Sequence, residues 1–568
     1  MTVLAAAPAA PTSRADRDVR LRPVPERRQD MATAHVRLML LMLLFIGATA
    51  AIGLRIAYLG VFGGGETGRR GAAMIARGDI YDRNGVPLAQ TIDAWSVGVH
   101  PGKIIGDKRK LAEDLARLMP ERTAEDYYKI LTSDVSFTYL RRRAVPELVA
   151  AVNALGDPGL AFAREPERLY PQGSLASHIL GYTDFDGRGV AGIERVFEKQ
   201  LAARQGITLS IDRRIQQAME SELSAAMAKF SAIGAAGVVM DIKTGEVLAL
   251  TSLPEMNPNR PGLAAPDAGF NRATLGVYEL GSTFKPFTVA MAMDAGVIRS
   301  LGQMYSCPKA LKVGRFSITD THPFGRACSV AEIMQESSNI GTAQIAAQLG
   351  GGRQKEFLSR MHFLSPVAIE LREQGRPLTP GANWSEISTM TVGYGHGIAV
   401  SPLHLATGYA TLFNGGLYRP ATLVKRGPGN PLPAGERVFT ADTSYKMRAL
   451  LRLVVTHGTG GKADAVGFRV GGKTGTAEKI VGGRYTGTKV VTTFAGVFPM
   501  DAPRYVVVAM LDEPQATKET YGFHTAGWNV APVVKGVVAR IGPMLGVIPD
   551  ETREANLGEV LPFVRPKD

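Results

Sequence analysis

Cysteine is nearly absent from this sequence: 568 residues hold two, Cys307 and Cys328. No Cys-x-x-Cys and no His-Glu-x-x-His occurs, so the ligand spacings of zinc sites are missing. The chemistry is therefore expected to use no metal and no cofactor. Zinc-finger, ribonucleoprotein-type aromatic and arginine-rich reader motifs are missing too. That argues against nucleic acid as the reason for a formal net charge of +13. An anionic lipid surface or an acidic polymer fits the same charge. The two cysteines leave two readings open. Outside the cytoplasm they could pair, closing a loop of about 20 residues and adding about 3 kcal/mol. Otherwise they are two buried thiols.

Charge is missing from one long stretch, Leu38 to Leu54. With Val36 before it and Ile56 to Phe62 behind, the stretch is long enough to cross a bilayer. Arg14, Arg17, Arg20, Arg22, Arg27, Arg28 and Arg37 precede it. The positive-inside rule then keeps the N-terminus in the cytoplasm and puts the rest of the chain outside. A cleaved signal peptide is the competing reading. The apolar stretch is longer than a usual signal core, and Ala48, Ala50 and Ala51 fall within it. An uncleaved anchor over residues 36–59 is expected, behind a basic tail over 1–35. Residues 1–30, rich in Ala, Pro and Arg, are expected to be disordered.

The remainder is too long for one ordinary domain, and with 45% hydrophobic residues in the chain it suffices for real cores. Arg77 to Ala89 reads as extended chain, an Asn84-Gly85 turn and extended chain again. From about residue 232 the pattern changes to a hairpin, Val238 to Ile242 and Val247 to Ser252. Phe287 to Ala295 and Val330 to Leu349 read as helices, and Val490 to Phe498 and Tyr505 to Leu511 as β-branched strands. Strands, then helices, then strands predict an α+β fold, an antiparallel sheet with a helical lobe packed on it.

Three short motifs follow one another: Ser282-Thr283-Phe284-Lys285, Ser337-Ser338-Asn339 and Lys473-Thr474-Gly475. Together they supply a nucleophile, a proton-handling lysine and an anion clamp. Two of them have decoys, Ser306-Cys307-Pro308-Lys309 and Lys243-Thr244-Gly245. Context separates the copies. Lys243-Thr244-Gly245 sits between two apolar runs, reads as a hairpin turn and is followed by Glu246. Gly475 is followed by Thr476, a second hydroxyl at strand spacing. Lys285 opens an apolar run of helical length, whereas turn residues surround Ser306. Ser282 lacks the Gly-x-Ser-x-Gly elbow, so a Ser-His-Asp triad is disfavoured, and His396 reads as a groove or structural residue.

These segments resemble class B penicillin-binding proteins. Tyr278 to Phe287 is similar to their active-site segment, Lys473-Thr474-Gly475-Thr476-Ala477 to their third motif, and Gly393 to Leu403 and Thr525 to Pro532 to later segments. Arg77 to Ala89, Arg168-Leu169-Tyr170-Pro171, Gly192-Ile193-Glu194 and Thr208 to Asp212 resemble their non-catalytic pedestal. Arg77, Arg168 and Glu194 read as a structural charge network. The resemblance implies a single N-terminal transmembrane helix, an elongated α+β pedestal over 60–231 and a serine transpeptidase domain over 232–568. The pedestal occupies the place of a glycosyltransferase domain, so no glycan polymerisation is expected.

The implied site uses Ser282 as nucleophile, Lys285 as first-ranked base and Ser337 as a proton relay. Asn339 holds the donor peptide, Lys473 with Thr474 and Thr476 holds a carboxylate, and Gly475 leaves room for the substrate. The backbone N–H groups of Ser282 and Thr476 form the oxyanion hole. The implied substrate is a peptidoglycan stem peptide ending in D-Ala-D-Ala, with β-lactams as covalent mimics. The implied partners are a membrane glycan polymerase and other division proteins, at the inner membrane, with the catalytic domain periplasmic. The septal type fits length and tail best. The alternatives are an elongation-type transpeptidase, a D,D-carboxypeptidase or β-lactamase, and a β-lactam sensor or division scaffold.

Overall fold

The computed structural model describes residues 26–61, 76–427, 429, 431–482 and 484–565. The disorder expected of residues 1–30 lies outside them up to residue 25, whereas residues 26–30 are helical. The chain divides into two units, Met1–Ala72 and Ala73–Asp568. The first contributes a helix, Glu26–Val61, which starts inside the expected tail. Within it Val36–Gly53 has a mean hydropathy of 2.1, long and apolar enough to cross a membrane.

The second unit contains both the pedestal and the catalytic part, and the expected boundary at residue 232 falls inside it. One apolar cluster runs through both, from Ile80, Ile179 and Ile211 to Phe287, Leu403 and Val560. The long pedestal strand Pro87–Val99 pairs with Thr138–Ala144 on one side and Leu160–Leu169 on the other. Its far end has a separate core, in which Val97 and Val99 meet Leu111, Leu115, Tyr127 and Leu131 from two helices. Where the pedestal meets the catalytic part, Glu194 bridges two arginines, Arg77 Nε at 2.9 Å and Arg168 Nε at 2.7 Å. The expected network is present and wholly buried.

The catalytic part is built on a five-stranded antiparallel sheet. Its order is Gly471–Val481, Arg484–Phe498, Tyr505–Asp512, Gly234–Asp241, Val247–Leu253. Side chains alternate along each strand, and here both faces are covered. Ala235, Val239, Val507 and Ala509 pack with the helices Arg213–Lys229 and Ala531–Met544. Ala236, Val238, Val506 and Val508 pack into the helical lobe. Double coverage explains why Tyr505–Asp512 reads as an unbroken apolar run. Lys243-Thr244-Gly245 forms the turn between the two strands farthest from the strand Gly471–Val481, with Asp241 Oδ1 accepting Lys243 N–H at 2.8 Å. That strand, carrying Lys473, is the sheet edge.

Val330 to Leu349 is not one helix. It breaks into Val330–Gln335 and Asn339–Leu349, and Ser337 between them has φ +63°. A left-handed serine costs about 1 kcal/mol or more unless its surroundings enforce it. The enforcement comes from Asp320, which follows the strand Phe316–Thr319. Its carboxylate accepts Ser338 Oγ at 2.6 Å, Asn339 N–H at 2.5 Å and Ile340 N–H at 3.1 Å. Ser338 in turn caps the second helix through Gly341 N–H at 2.9 Å. The cap is worth more to the chain than continuing the helix through two serines.

Candidate active site

The first motif begins in a short 3-10 turn, Gly281–Phe284, which runs into the helix Lys285–Asp294. In a 3-10 turn positions i and i+3 lie one above the other, so Ser282 and Lys285 share a side. Ser282 is partly exposed and Lys285 is fully buried. Two glycines let the turn lie against its neighbours. A Cβ on Gly475 would stand 2.3 Å from Leu280 O, and one on Gly395 would stand 2.0 Å from Gly281 O. The space expected beside Gly475 for a substrate is therefore filled by the nucleophile turn. The third motif presses on the first, and neither glycine can carry a side chain.

The three motifs converge on the hydroxyl of Ser337. Lys473 Nζ donates to Ser337 Oγ at 2.8 Å, and Lys285 Nζ lies 3.1 Å from the same oxygen. Lys285 Nζ also donates to Ser337 O. The left-handed conformation turns both oxygens of Ser337 toward Lys285. Both lysines are 0% exposed. Burial lowers the Lys285 pKa well below the ordinary value, the charge of Lys473 lowers it further, and Asp320 opposes this only in part. Burial lowers Lys473 to about 7, against the opposing field of Glu336. The consistent arrangement is a neutral Lys285 accepting the Ser337 hydroxyl proton while a protonated Lys473 donates to the same oxygen.

Lys473 points its hydrogen bonds at Ser337 Oγ and at Thr474 O, the latter at 3.1 Å. The two threonines are held from outside the motifs, by Thr459, which the sequence did not single out, and by Ala526 of the segment Thr525 to Pro532. Thr474 Oγ1 is 2.9 Å from Thr459 Oγ1, and Thr476 Oγ1 accepts Ala526 N–H at 3.1 Å. Asn339 donates its side-chain amide to Thr319 O at 3.1 Å. Asp320 and Thr319 therefore hold the second motif as a unit. Nothing in sequence pattern marks an aspartate some twenty residues upstream as its clamp, because the contact is purely tertiary.

His396 lies beside the site. Burial, and Lys285 behind it, hold its pKa at about 4, so it is neutral at physiological pH. Its ring packs 5.3 Å from Tyr394 and 6.1 Å from Tyr485, centroid to centroid. The decoy Ser306 belongs to the strand Met304–Cys307. Cys307 and Cys328 are joined in a disulfide with Cα atoms 5.9 Å apart, which resolves the open choice in favour of pairing. The bridge ties Met304–Cys307 to Arg326–Ser329, the strands flanking the segment that carries Asp320.

Comparison with known proteins agrees with this geometry. Residues 235–535 match the penicillin binding protein transpeptidase domain, and residues 74–223 match the penicillin-binding protein dimerisation domain. A probable peptidoglycan D,D-transpeptidase FtsI of Caulobacter vibrioides is 38% identical, over 83% of this chain and 82% of the relative. The probable peptidoglycan D,D-transpeptidase PenA of Neisseria gonorrhoeae is 33% identical, over 85% and 86%. The crystal structure of penicillin binding protein 3 from Mycobacterium tuberculosis, complexed with aztreonam, superposes with a TM-score of 0.66 at 25% identity, covering 84% of this chain and 97% of that one. With a transpeptidase domain matched over more than half of its length and a relative 38% identical over most of both chains, the chain belongs to the FtsI-like, class B family of penicillin-binding protein transpeptidases.

Proposed function

We propose that this protein is the D,D-transpeptidase that cross-links peptidoglycan stem peptides during septal wall synthesis. The observation that carries the reading is the Ser337 hydroxyl shared by two fully buried lysines beside the Ser282 turn. Neutral Lys285 takes the Ser282 proton as Ser282 Oγ bonds to the penultimate D-Ala carbonyl of a donor stem. The backbone N–H groups of Ser282 and Thr476 receive the oxyanion, an interaction typically worth about 10²–10³ in rate. The proton returns through Ser337 to the leaving D-Ala nitrogen, and the C–N bond breaks. An acceptor amine then attacks the Ser282 ester, its proton leaves along the same path, and Ser282 is regenerated as the new peptide bond forms. Lys473, Thr474 and Thr476 hold the donor carboxylate, with Asn339 on its backbone.

The N-terminal helix is the membrane anchor in this reading. Its arginine-rich start stays in the cytoplasm and the unit Ala73–Asp568 works on the outer side of the inner membrane, beside a membrane glycan polymerase and other division proteins. A pedestal of 74–223 and an anchor favour a wall-building enzyme over a β-lactamase, which needs neither. The test is labelling with a fluorescent penicillin, followed by peptide mass spectrometry. One adduct on Ser282 is expected, absent in Ser282→Ala. An adduct on Ser306 would overturn the assignment. Depletion of the protein should block septation while cells continue to elongate; arrested elongation instead would reassign it to side-wall synthesis.

A further inference from the structure

Glu279 has no part in the acyl-transfer steps above, yet three elements that build the site converge on it. It stands three residues before Ser282. Its Oε1 accepts Gly397 N–H at 2.8 Å. The Tyr485 hydroxyl donates to the carboxylate, 3.2 Å from each oxygen. Tyr485 lies in the hairpin that leaves the Lys473 strand, opposite Ile480. The segment around residue 395 touches the nucleophile turn directly, Gly281 N–H donating to Gly395 O at 3.2 Å.

Tyr485 bonds to this carboxylate, Tyr394 lies within its field, and the His396 ring packs against both tyrosines. His396 Nδ1 is buried without a hydrogen-bond partner. The influences on the Glu279 carboxyl are burial, which raises its pKa, and the bonds from Gly397 and Tyr485, which lower it; no cation among the described residues contributes. A half-buried carboxylate without a counter-ion is costly, and a bound cation offsets that cost. Aromatic faces add to the attraction. The neutral His396 does not oppose it.

We propose that Glu279, framed by Tyr394, His396 and Tyr485, is a subsite for an alkylammonium group of the peptide substrate. The inference rests on the transpeptidase reading and deepens it. A primary amine has a pKa of about 10 and reaches the enzyme as an ammonium ion. The group has two sources, the incoming acceptor or a diamino residue of the donor. An acceptor gathered here gives one ammonium proton to neutral Lys285, forms its C–N bond at the Ser282 ester carbonyl and displaces Ser282 Oγ, which takes the second amine proton. The carboxylate selects amine over water, so the acyl-enzyme partitions toward cross-linking and away from hydrolysis.

The test uses the full-length protein with active sites counted by penicillin labelling. A D-Ala thioester donor without any amine is offered with a primary-amine acceptor, and aminolysis and hydrolysis are followed together. Separately, a donor bearing a side-chain ammonium is compared with its acetylated form. An ammonium held by a carboxylate is worth about tenfold or more. If the acceptor is the source, Glu279→Gln should lower the aminolysis-to-hydrolysis ratio about tenfold. If the donor is the source, the wild type should prefer the ammonium donor about tenfold, and Glu279→Gln should lose that preference. Tyr485→Phe, which keeps the charge, should retain most of either effect. An unchanged ratio together with no donor preference in the wild type overturns the proposal, as does a Glu279→Gln protein that no longer labels. A wild type that accepts no thioester donor at all contradicts the transpeptidase reading itself, a separate result.

Discussion

The molecule buries cations in two places and treats them in opposite ways. In the pedestal, Arg77 and Arg168 share the carboxylate of Glu194, and Tyr170 OH lies 3.2 Å from the same group. In the catalytic part, Lys285 and Lys473 share a hydroxyl, and each donates to a backbone carbonyl of its own, Ser337 O and Thr474 O. The arginines keep their charge beside an opposite one and fix where the chain turns. Burial lowers the pKa of both lysines, and the charge of Lys473 lowers that of Lys285 further. Burial shared with a carboxylate makes a strut; burial that Asp320 and Glu336 offset only in part makes a base. The choice of side chain follows, because a lysine can shed its proton and an arginine cannot.

The largest effect expected from breaking this contrast is at Lys285. Lys285→Met keeps the stem packed and removes the base, and positioned proton transfer contributes about 10²–10⁴ in rate. The second-order acylation constant for a penicillin should fall by that factor with the melting temperature held. A fall of less than tenfold would move the base elsewhere.

At Glu194 the loss should appear in stability instead. Glu194→Gln removes the counter-charge that both buried guanidiniums share, leaving Arg77 with Glu198 at 2.9 Å and Arg168 with Asp79 at 4.0 Å; removing one partner of a buried pair costs up to about 3–5 kcal/mol. The denaturation midpoint should drop sharply while the folded fraction still acylates. Normal stability with lost acylation would make the pedestal network part of the active site.

A smaller effect tests the two Lys-Thr-Gly sequences against each other. Thr474→Val and Thr476→Val each remove a hydroxyl that would face a carboxylate, a bond worth about 1.5–3 kcal/mol. Acylation should slow about tenfold to hundredfold. Thr244→Val, at the distant hairpin turn, should leave it unchanged. Equal damage at Thr244 and Thr474 in folded protein would mean that the wrong copy has been placed in the site.

The smallest effect is a pH dependence. Acylation needs Lys285 neutral and Lys473 charged. The constant should rise with pH as Lys285, already well below its ordinary range, loses its proton. It should decline as pH passes about 7 and Lys473 is neutralised. The pH profile of the acylation constant, which reports the free enzyme, should lose its alkaline decline in Lys473→Arg. A decline that persists there belongs to another group.

Much of the fold was legible. The hairpin Gly234–Asp241 to Val247–Leu253, the strands Arg484–Phe498 and Tyr505–Asp512 and the helix Lys285–Asp294 all announce themselves by β-branched or apolar runs bounded by turn residues. The helix break at Ser337 did not, since the residues on either side are apolar at helical spacing and the competing cap comes from Asp320. Gly475 was recognisable as a position that must lack a side chain, but the group that fills the space was misread.

By itself the sequence determined which chemical groups exist and roughly where each lies along an element: one serine before a helix, its lysine three residues on, a second lysine on a strand, and an apolar run for an anchor. Local preferences and periodicity act over a few residues, so they are written in the chain. Only the tertiary structure decided that both lysines meet at one hydroxyl, that Asp320 holds Ser337 in a strained conformation, and that Cys307 and Cys328 pair. It also decided that Glu279 meets Gly397 and Tyr485. These are distances between residues far apart in the chain, set by how the sheet and the helical lobe pack. The low pKa values that turn the site into chemistry arise from that packing alone.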